Sequence, residues 1–396
     1  MEKALNILKE HTMKIVLVLV VLFFTYTTKG KMLEPSSFNA LINQNAYVFV
    51  LATGMMMCML IKGNIDLSVG AVICFVDAVA AILMTEKGVS VPVTMLVTLA
   101  IGLVIGALMG WLIAYINIPP WIATLGGFLA FRGLGTAILI PTGPLSIGKE
   151  FGNLFNAYIP NILPTIGKNK FNTTSLVIGI ICCIILALVM IRERAVKIKK
   201  GYEADSLVSV IVKLVLLCAV IMLFAVKLGQ YKVGKGAGKG IPVVLVWVAV
   251  ILLIYNFIAS KTTLGRYFYA MGGNMEATRL SGINTKFILF LAYLNMQFLT
   301  VIAGWMTLAR NSGANGTMGT NFELDAISAC IVGGVSAYGG SGSVFGMVVG
   351  ATLIGVINYG MFLMNIDANW QKVVKGVVLL AAVVFEIVNN KDKREK

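Results

Sequence analysis

Long apolar runs alternate with short polar connections along the whole chain. The runs fall near 14–28, 46–61, 67–84, 91–116, 121–140, 174–191, 206–226, 241–259, 286–309, 325–337, 343–364 and 371–388. Most approach the roughly 18–20 residues that a helix needs to cross a bilayer. The pattern predicts an all-α, polytopic integral membrane protein with about 12 transmembrane segments. The third and tenth runs are short or broken by glycine, and re-entrant segments are one reading of them. Irregular backbone at membrane depth survives only where protein or a water-filled cavity surrounds it.

Composition supports this class. Hydrophobic residues make up 58% of the 396 and charged residues 12%, against about a quarter charged in soluble domains. The net charge of +15 does not point to nucleic acid, because the basic residues cluster between apolar runs, as in RERAVKIKK (192–200) and KDKREK (391–396). There they act as topology determinants and contacts for anionic membrane lipid. An even number of spans puts both termini on one side. With that side cytoplasmic, 17 of the 32 Lys and Arg fall inside, 11 outside and 4 within spans. Against the bias stands KLGQYKVGKGAGKG (227–240), four lysines on the outer side. The N-terminal run 15–24 lacks a small-residue cleavage site after it and reads as an uncleaved first span. The outer stretch 141–173, rich in proline, glycine and asparagine, reads as a long loop.

The six cysteines lie in or at the ends of apolar runs, their spacing matches no zinc pattern, and His11 stands alone; no metal site is expected. GGVSAYGGSGSVFG (333–346) lacks the lysine and hydroxyl of a phosphate loop and reads as a tight turn. With no catalytic constellation visible, the chain is not expected to be an enzyme, nor to hold a cofactor of its own.

NIDLSVGAVI (64–73) and FELDAISACI (322–331) echo one another. Each places an aspartate before a short glycine-containing run, followed by a Gly-x-x-x-Gly run, GLVIGALMG or GMVVGATLIG. In the expected topology the two aspartates start on opposite faces, the signature of an inverted repeat around a central pathway. Intramembrane charge is costly unless paired or hydrated. Asn64, Asp66, Ser68, Asp77, Arg132 and Asp325 are therefore candidates for the translocation pathway. Asp66 and Asp325, at run starts, suit helix N-caps; Asp77 and Arg132, deeper, suit a cavity lining. Lys375 and Glu386 read as end-of-helix anchors.

Between two apolar runs lies GRYFYAMGGNMEATRLSGIN (265–284). Asn274 is a good N-cap, MEATRLS supplies about two turns, and Gly282 is placed to stop them in the left-handed conformation. Glu276 and Arg279 share a face, with Ala277 and Leu280 as small and apolar contacts. So short a helix needs something to pack against. It is an ordinary connection or a docking element for a soluble partner.

That segment resembles the cytoplasmic coupling loop of monosaccharide permeases in ABC-type importers. GNIDLSVGAV (63–72), WIATLGGFLAFRG (121–133) and FELDAISACIVGG (322–334) resemble further segments of the family, in the family's order. The resemblance implies one permease domain over 1–396. Residues 1–173 form its N-terminal half, 174–240 an inserted pair of spans added to ten core spans, and 241–396 a C-terminal half with the coupling loop at 260–286. The inserted pair points to the xylose-type or multiple-monosaccharide branch. Also implied are a second permease copy, a cytoplasmic ATPase with two nucleotide-binding domains that binds the ATP, and an extracytoplasmic sugar-binding protein. The implied ATPase contact comprises Arg266, Gly272, Asn274, Glu276, Ala277, Arg279, Leu280 and Gly282, in a multi-pass protein of the cell membrane. The alternative is a proton-coupled secondary sugar transporter using Asp77 or Asp325.

Overall fold

The computed structural model describes residues 2–164, 171–203, 206–234 and 236–394, with side chains apart from 2–11, 385–386 and 388–394. The anchoring expected of Glu386 falls outside those side chains. In chain order the helices are α1 (Glu2–Thr27), α2 (Pro35–Leu60), α3 (Val69–Thr85), α4 (Val91–Ala114) and α5 (Pro120–Ala137). A two-residue strand β1 (Leu145–Ser146) and the short α6 (Lys149–Asn156) follow. Then come α7 (Thr173–Lys199), α8 (Leu207–Gln230), α9 (Val243–Lys261), α10 (Thr263–Gly273), α11 (Met275–Leu280) and α12 (Thr285–Asn311). Strand β2 (Gly313–Ala314), α13 (Phe322–Val332), α14 (Val344–Leu363) and α15 (Ala368–Arg394) complete the chain.

Each of the twelve apolar runs contains a helix, so the protein is all-helical and polytopic. Among the described residues, α2, α4, α7, α8, α9, α12 and α14 are long and apolar enough to cross a bilayer unaided. Three of the others differ for a visible reason. The apolar part of α1 is short; α3 and α13, with 17 and 11 residues, are interrupted elements. The sequence pattern also misses the start of α2. Polar Ser36, Asn39 and Asn43 hide eleven residues, 35–45, that carry the helix back to Pro35 at its first turn, where proline's missing N–H costs nothing.

From Asn45 to Leu60 every residue of α2 except Phe49 is buried. A helix apolar on all sides must be surrounded, and α2 packs against α12, α13, α14, α8 and α9. By contrast α7 and α8 pack mainly on each other and expose most of their apolar side chains, as lipid-facing helices do.

The contacts follow a two-fold logic. The first half-helix, α3, packs on α12, and the second, α13, packs on α2. Likewise α4 lies against α12 and α14 against α2, while α5 covers α3 and α15 covers α13. The Gly102, Gly106 and Gly110 ridge of α4 brings its backbone against Phe290, Leu294, Gln297 and Val301 of α12, the small-residue packing expected inside membranes. Because α2 ends, and α12 begins, on the face that carries α10 and α11, these two central helices run antiparallel. The arrangement is that of an inverted repeat.

Candidate functional site: the half-helix centre and the docking helix

Two interrupted helices start close together inside the protein. After α2 the chain turns through Lys62 and Gly63, both at positive φ, and runs without helix to Ser68. There Asp66 Oδ1 accepts hydrogen bonds from the Ser68 backbone N–H (2.8 Å) and hydroxyl (2.6 Å). Its other oxygen accepts one from Gln297 Nε2 of α12 (2.8 Å), which also reaches Ser68 Oγ (3.0 Å). Asp66, Ser68 and Gln297 are fully buried. Asp66 is thus not the helix N-cap that its position suggests. Ser68 holds that place, and Asp66 closes the preceding turn and ties the broken entry of α3 to the other repeat. Asn64 is half-buried, with its backbone N–H bonded to Ile61 O.

The second entry meets the first. A Cβ on Gly70, in the first turn of α3, would collide with the Gly319 carbonyl and the Glu323 carboxylate. Glu323 lies in the first turn of α13, so one buried carboxylate stands beside the starts of both half-helices, where helix dipoles favour negative charge. Sequence reasoning passes over Glu323, since a glutamate beside the aspartate of FELD reads as part of a polar end.

Asp325 also departs from the capping expectation. The N-cap position of α13 is Asn321, and Asp325 sits inside the first turn, 1% exposed. It accepts hydrogen bonds from Tyr47 Oη (2.7 Å) and Asn358 Nδ2 (3.4 Å), and its oxygens lie 2.8 and 2.9 Å from Lys375 Nζ. Lys375 is therefore no end anchor: it stands two turns inside α15 and binds that helix to α13. Tyr47 stacks on Phe322 with ring centroids 3.7 Å apart.

On the opposite flank, Arg132 of α5 donates to the carbonyls of Met318 (2.5 Å) and Gly316 (3.5 Å). A cation from each covering helix thus reaches the second half-helix or the segment leading into it. Arg132 is half-buried and engaged with backbone. Asp77 is fully buried within α3. It is sealed between α3 and α12, with Oδ2 accepting from Thr307 Oγ1 (3.3 Å) and Oδ1 without a hydrogen-bond partner.

The candidate docking region is larger than the short helix legible in sequence. Ahead of it, α10 begins with the Thr262 hydroxyl accepting from Gly265 N and buries Gly265, Phe268 and Met271 at three-residue spacing. Its end is clamped. Gly340 N donates to Leu60 O (2.9 Å), and a Cβ on Gly272 would collide with both those atoms. Tyr269 Oη donates to Gly342 O (2.9 Å), and burial raises the Tyr269 pKa. Gly272 is therefore a packing residue, whereas Arg266 is exposed on the free face of α10.

Next comes α11. Asn274 Oδ1 accepts from Ala277 N (2.9 Å), and Arg279 pairs with Glu276 through two hydrogen bonds of 2.5 and 3.1 Å. That hydrogen bonding lowers the Glu276 pKa and raises that of Arg279. Thr278 faces inward, while Glu276, Ala277, Arg279 and Leu280, the last 77% exposed, face out. Gly282 has φ 85° and ends the element.

A family profile described as branched-chain amino acid transport system / permease component matches residues 37–383. The chain belongs to that permease family. The permease is 33% identical over 389 residues to the xylose transport system permease protein XylH of Haemophilus influenzae, covering 98% of each chain. Over 382 residues it is 33% identical to XylH of Escherichia coli K12, covering 96% of this chain and 92% of the relative. The ribose import permease protein RbsC of E. coli K12 is 40% identical over 159 residues, 40% of this chain and 49% of the relative. No solved structure matches. The protein is a multi-pass membrane transport subunit and not an enzyme.

Proposed function

We propose that this permease is the transmembrane subunit of an ATP-driven importer that moves a monosaccharide, xylose or a related pentose or hexose, into the cytoplasm by alternating access. The observation that carries the reading is likeness along nearly the whole chain to permeases of xylose transport systems. The exposed, charged α11 on a clamped α10 supports it. Twelve spans, both termini cytoplasmic, place α11 inside the cell, where an ATPase with two nucleotide-binding domains grips it. Two permease copies enclose the pathway, and an extracytoplasmic sugar-binding protein supplies the cargo. No ATP binds to this chain.

In this reading the half-helix entries around Asp66, Ser68, Glu323 and Asp325 form the fixed centre, and the two repeats rock about it. The Asp66–Gln297 and Asp325–Lys375 links hold the conformation described here. The test is uptake in vesicles with the partner ATPase and binding protein: ATP-dependent accumulation of labelled pentose is expected. Robust uptake by this chain alone, or uptake that stops when the proton gradient is collapsed at constant ATP, would overturn it.

A further inference from the structure

The packing opens between α4 and α9. Helix α4 lies mainly on α12, α3 and α5, whereas α9 lies mainly on α2, α10, α14 and α6. The gap is a cleft of about 270 Å³, walled by Leu103 of α4, Ile258 of α9, Leu264 and Phe268 of α10, and a stripe of α12. That stripe, Leu291, Leu294 and Phe298, runs about 10 Å along the axis of its helix. The hollow therefore follows the direction in which lipid chains lie.

Its chemistry selects an apolar occupant. Tyr255 and Asn295 are the polar side chains of the lining, and Tyr255 Oη donates to Asn295 Oδ1, so the two are turned on each other. Leu103, Ile258, Leu264 and the α12 stripe are each half-buried, which leaves the cleft open along one side. That side faces lipid, for Val104 and Leu108 of α4 and Leu253 and Ile254 of α9 are exposed. Cations stand at the end that α10 covers. Lys261 is one turn beyond Ile258 on the same face of α9. Lys286 lies in the first turn of α12, beside Phe287, which extends the stripe by one turn. Both lysines are exposed. Glu276, the sole acid between residues 256 and 294, is already held by Arg279.

We propose that this cleft seats an anionic phospholipid, with one acyl chain along the α12 stripe and the phosphate near Lys261 and Lys286. The inference rests on the membrane setting of the chain, not on its cargo. Ordinary boundary lipid accounts for lysines at helix ends, but not for a slot between two lipid-facing helices whose polar groups are spent on each other. The bound chain touches Leu264 and Phe268, so it supports α10 from beneath, and α10 carries α11.

The test places the full-length permease in nanodiscs of phosphatidylcholine with some phosphatidylglycerol, one acyl chain of which bears a diazirine. After irradiation, adducts are mapped by mass spectrometry. They should concentrate on 291–298 and 258–268, several-fold above the lipid-facing surfaces of α7 and α8. Leu294→Trp, which fills the cleft, should remove this excess and leave the labelling of α7 and α8 unchanged. Lys261→Gln with Lys286→Gln leaves the cleft open and should lower cleft labelling about fivefold or more. The same diazirine carried on phosphatidylcholine should label the wild-type cleft as weakly as that variant is labelled by phosphatidylglycerol. Even labelling of all lipid-facing helices would overturn the proposal, as would equal labelling by the two lipids. A cleft without adducts, whether empty or covered by a second permease copy, would overturn it too.

Discussion

Single residues decide more here than their number suggests, because at membrane depth water cannot repair a lost partner. Lys375→Met leaves Asp325 buried with only Tyr47 and Asn358. Removing one member of a buried pair costs about 3–5 kcal/mol, so thermal unfolding of the purified protein should shift clearly downward. Adding Asp325→Asn should recover most of the loss, since the uncompensated charge is gone; a double variant as unstable as the single one would show that the pair does not stabilise. Gly272→Ala tests a different kind of residue. Its methyl group meets backbone, not a movable side chain, and overpacking of this sort costs about 1–3 kcal/mol. Reduced co-purification of the ATPase, with the protein still in the membrane, is the expected readout. What made residues legible was local grammar. Asn274 as cap, the Glu276–Arg279 pair and left-handed Gly282 depend on neighbours within four positions, and all three take the expected geometry. Lys375 beside Asp325, Gln297 beside Asp66 and Met318 beside Arg132 lie 50, 231 and 186 positions away, and no rule of spacing brings them together. Lys375 read as an anchor for the same reason.

At the scale of elements, hydrophobic patterning located all twelve apolar helices because lipid demands uninterrupted apolar surface. It failed where helices carry polar residues among the apolar ones. The polar start of α2 and one face of α10 pack against protein, so their sequences need not be continuously apolar. Phe268 and Met271 were the available signal for α10, masked by the glycines and tyrosines around them. The docking helix itself gives a graded prediction. Glu276→Lys places two cations on one exposed turn, a change of only a few tenths of a kcal/mol in helix stability, so the protein should stay folded while ATPase binding weakens. Normal binding and transport would show that Glu276 takes no part in docking. The pH response has a definite sign. Arg279 lowers the Glu276 pKa, so the pair's contribution is in place above the ordinary glutamate value, about 4.3. It disappears only as pH falls through the depressed value. Docking should therefore be flat across neutral pH, which a binding titration against pH would check.

For the whole molecule, the half-helix entries and α10–α11 are joined through the backbone contact of Leu60, Gly272 and Gly340. The echo between 64–73 and 322–331 was readable in sequence because each stretch sets an aspartate at the entry of a short helix. That they meet at Gly70, Gly319 and Glu323 was not, since nothing in either stretch names the other. Orientation is the claim at this scale with the widest reach. In a background free of native cysteines, a thiol introduced at Ser281 should resist an impermeant reagent on intact cells and react once they are opened. One introduced at Ala237, exposed in the connection between α8 and α9, should react on intact cells. The reverse pattern would place α11 outside and remove the basis for ATPase docking.

The meeting of Leu60, Gly272 and Gly340 has one more implication. Three main chains from separate parts of the polypeptide touch there with no side chain between them, so the joint has no cushion. A push on α10 would therefore bear directly on the foot of α2 and on the turn beyond α13, one from each repeat.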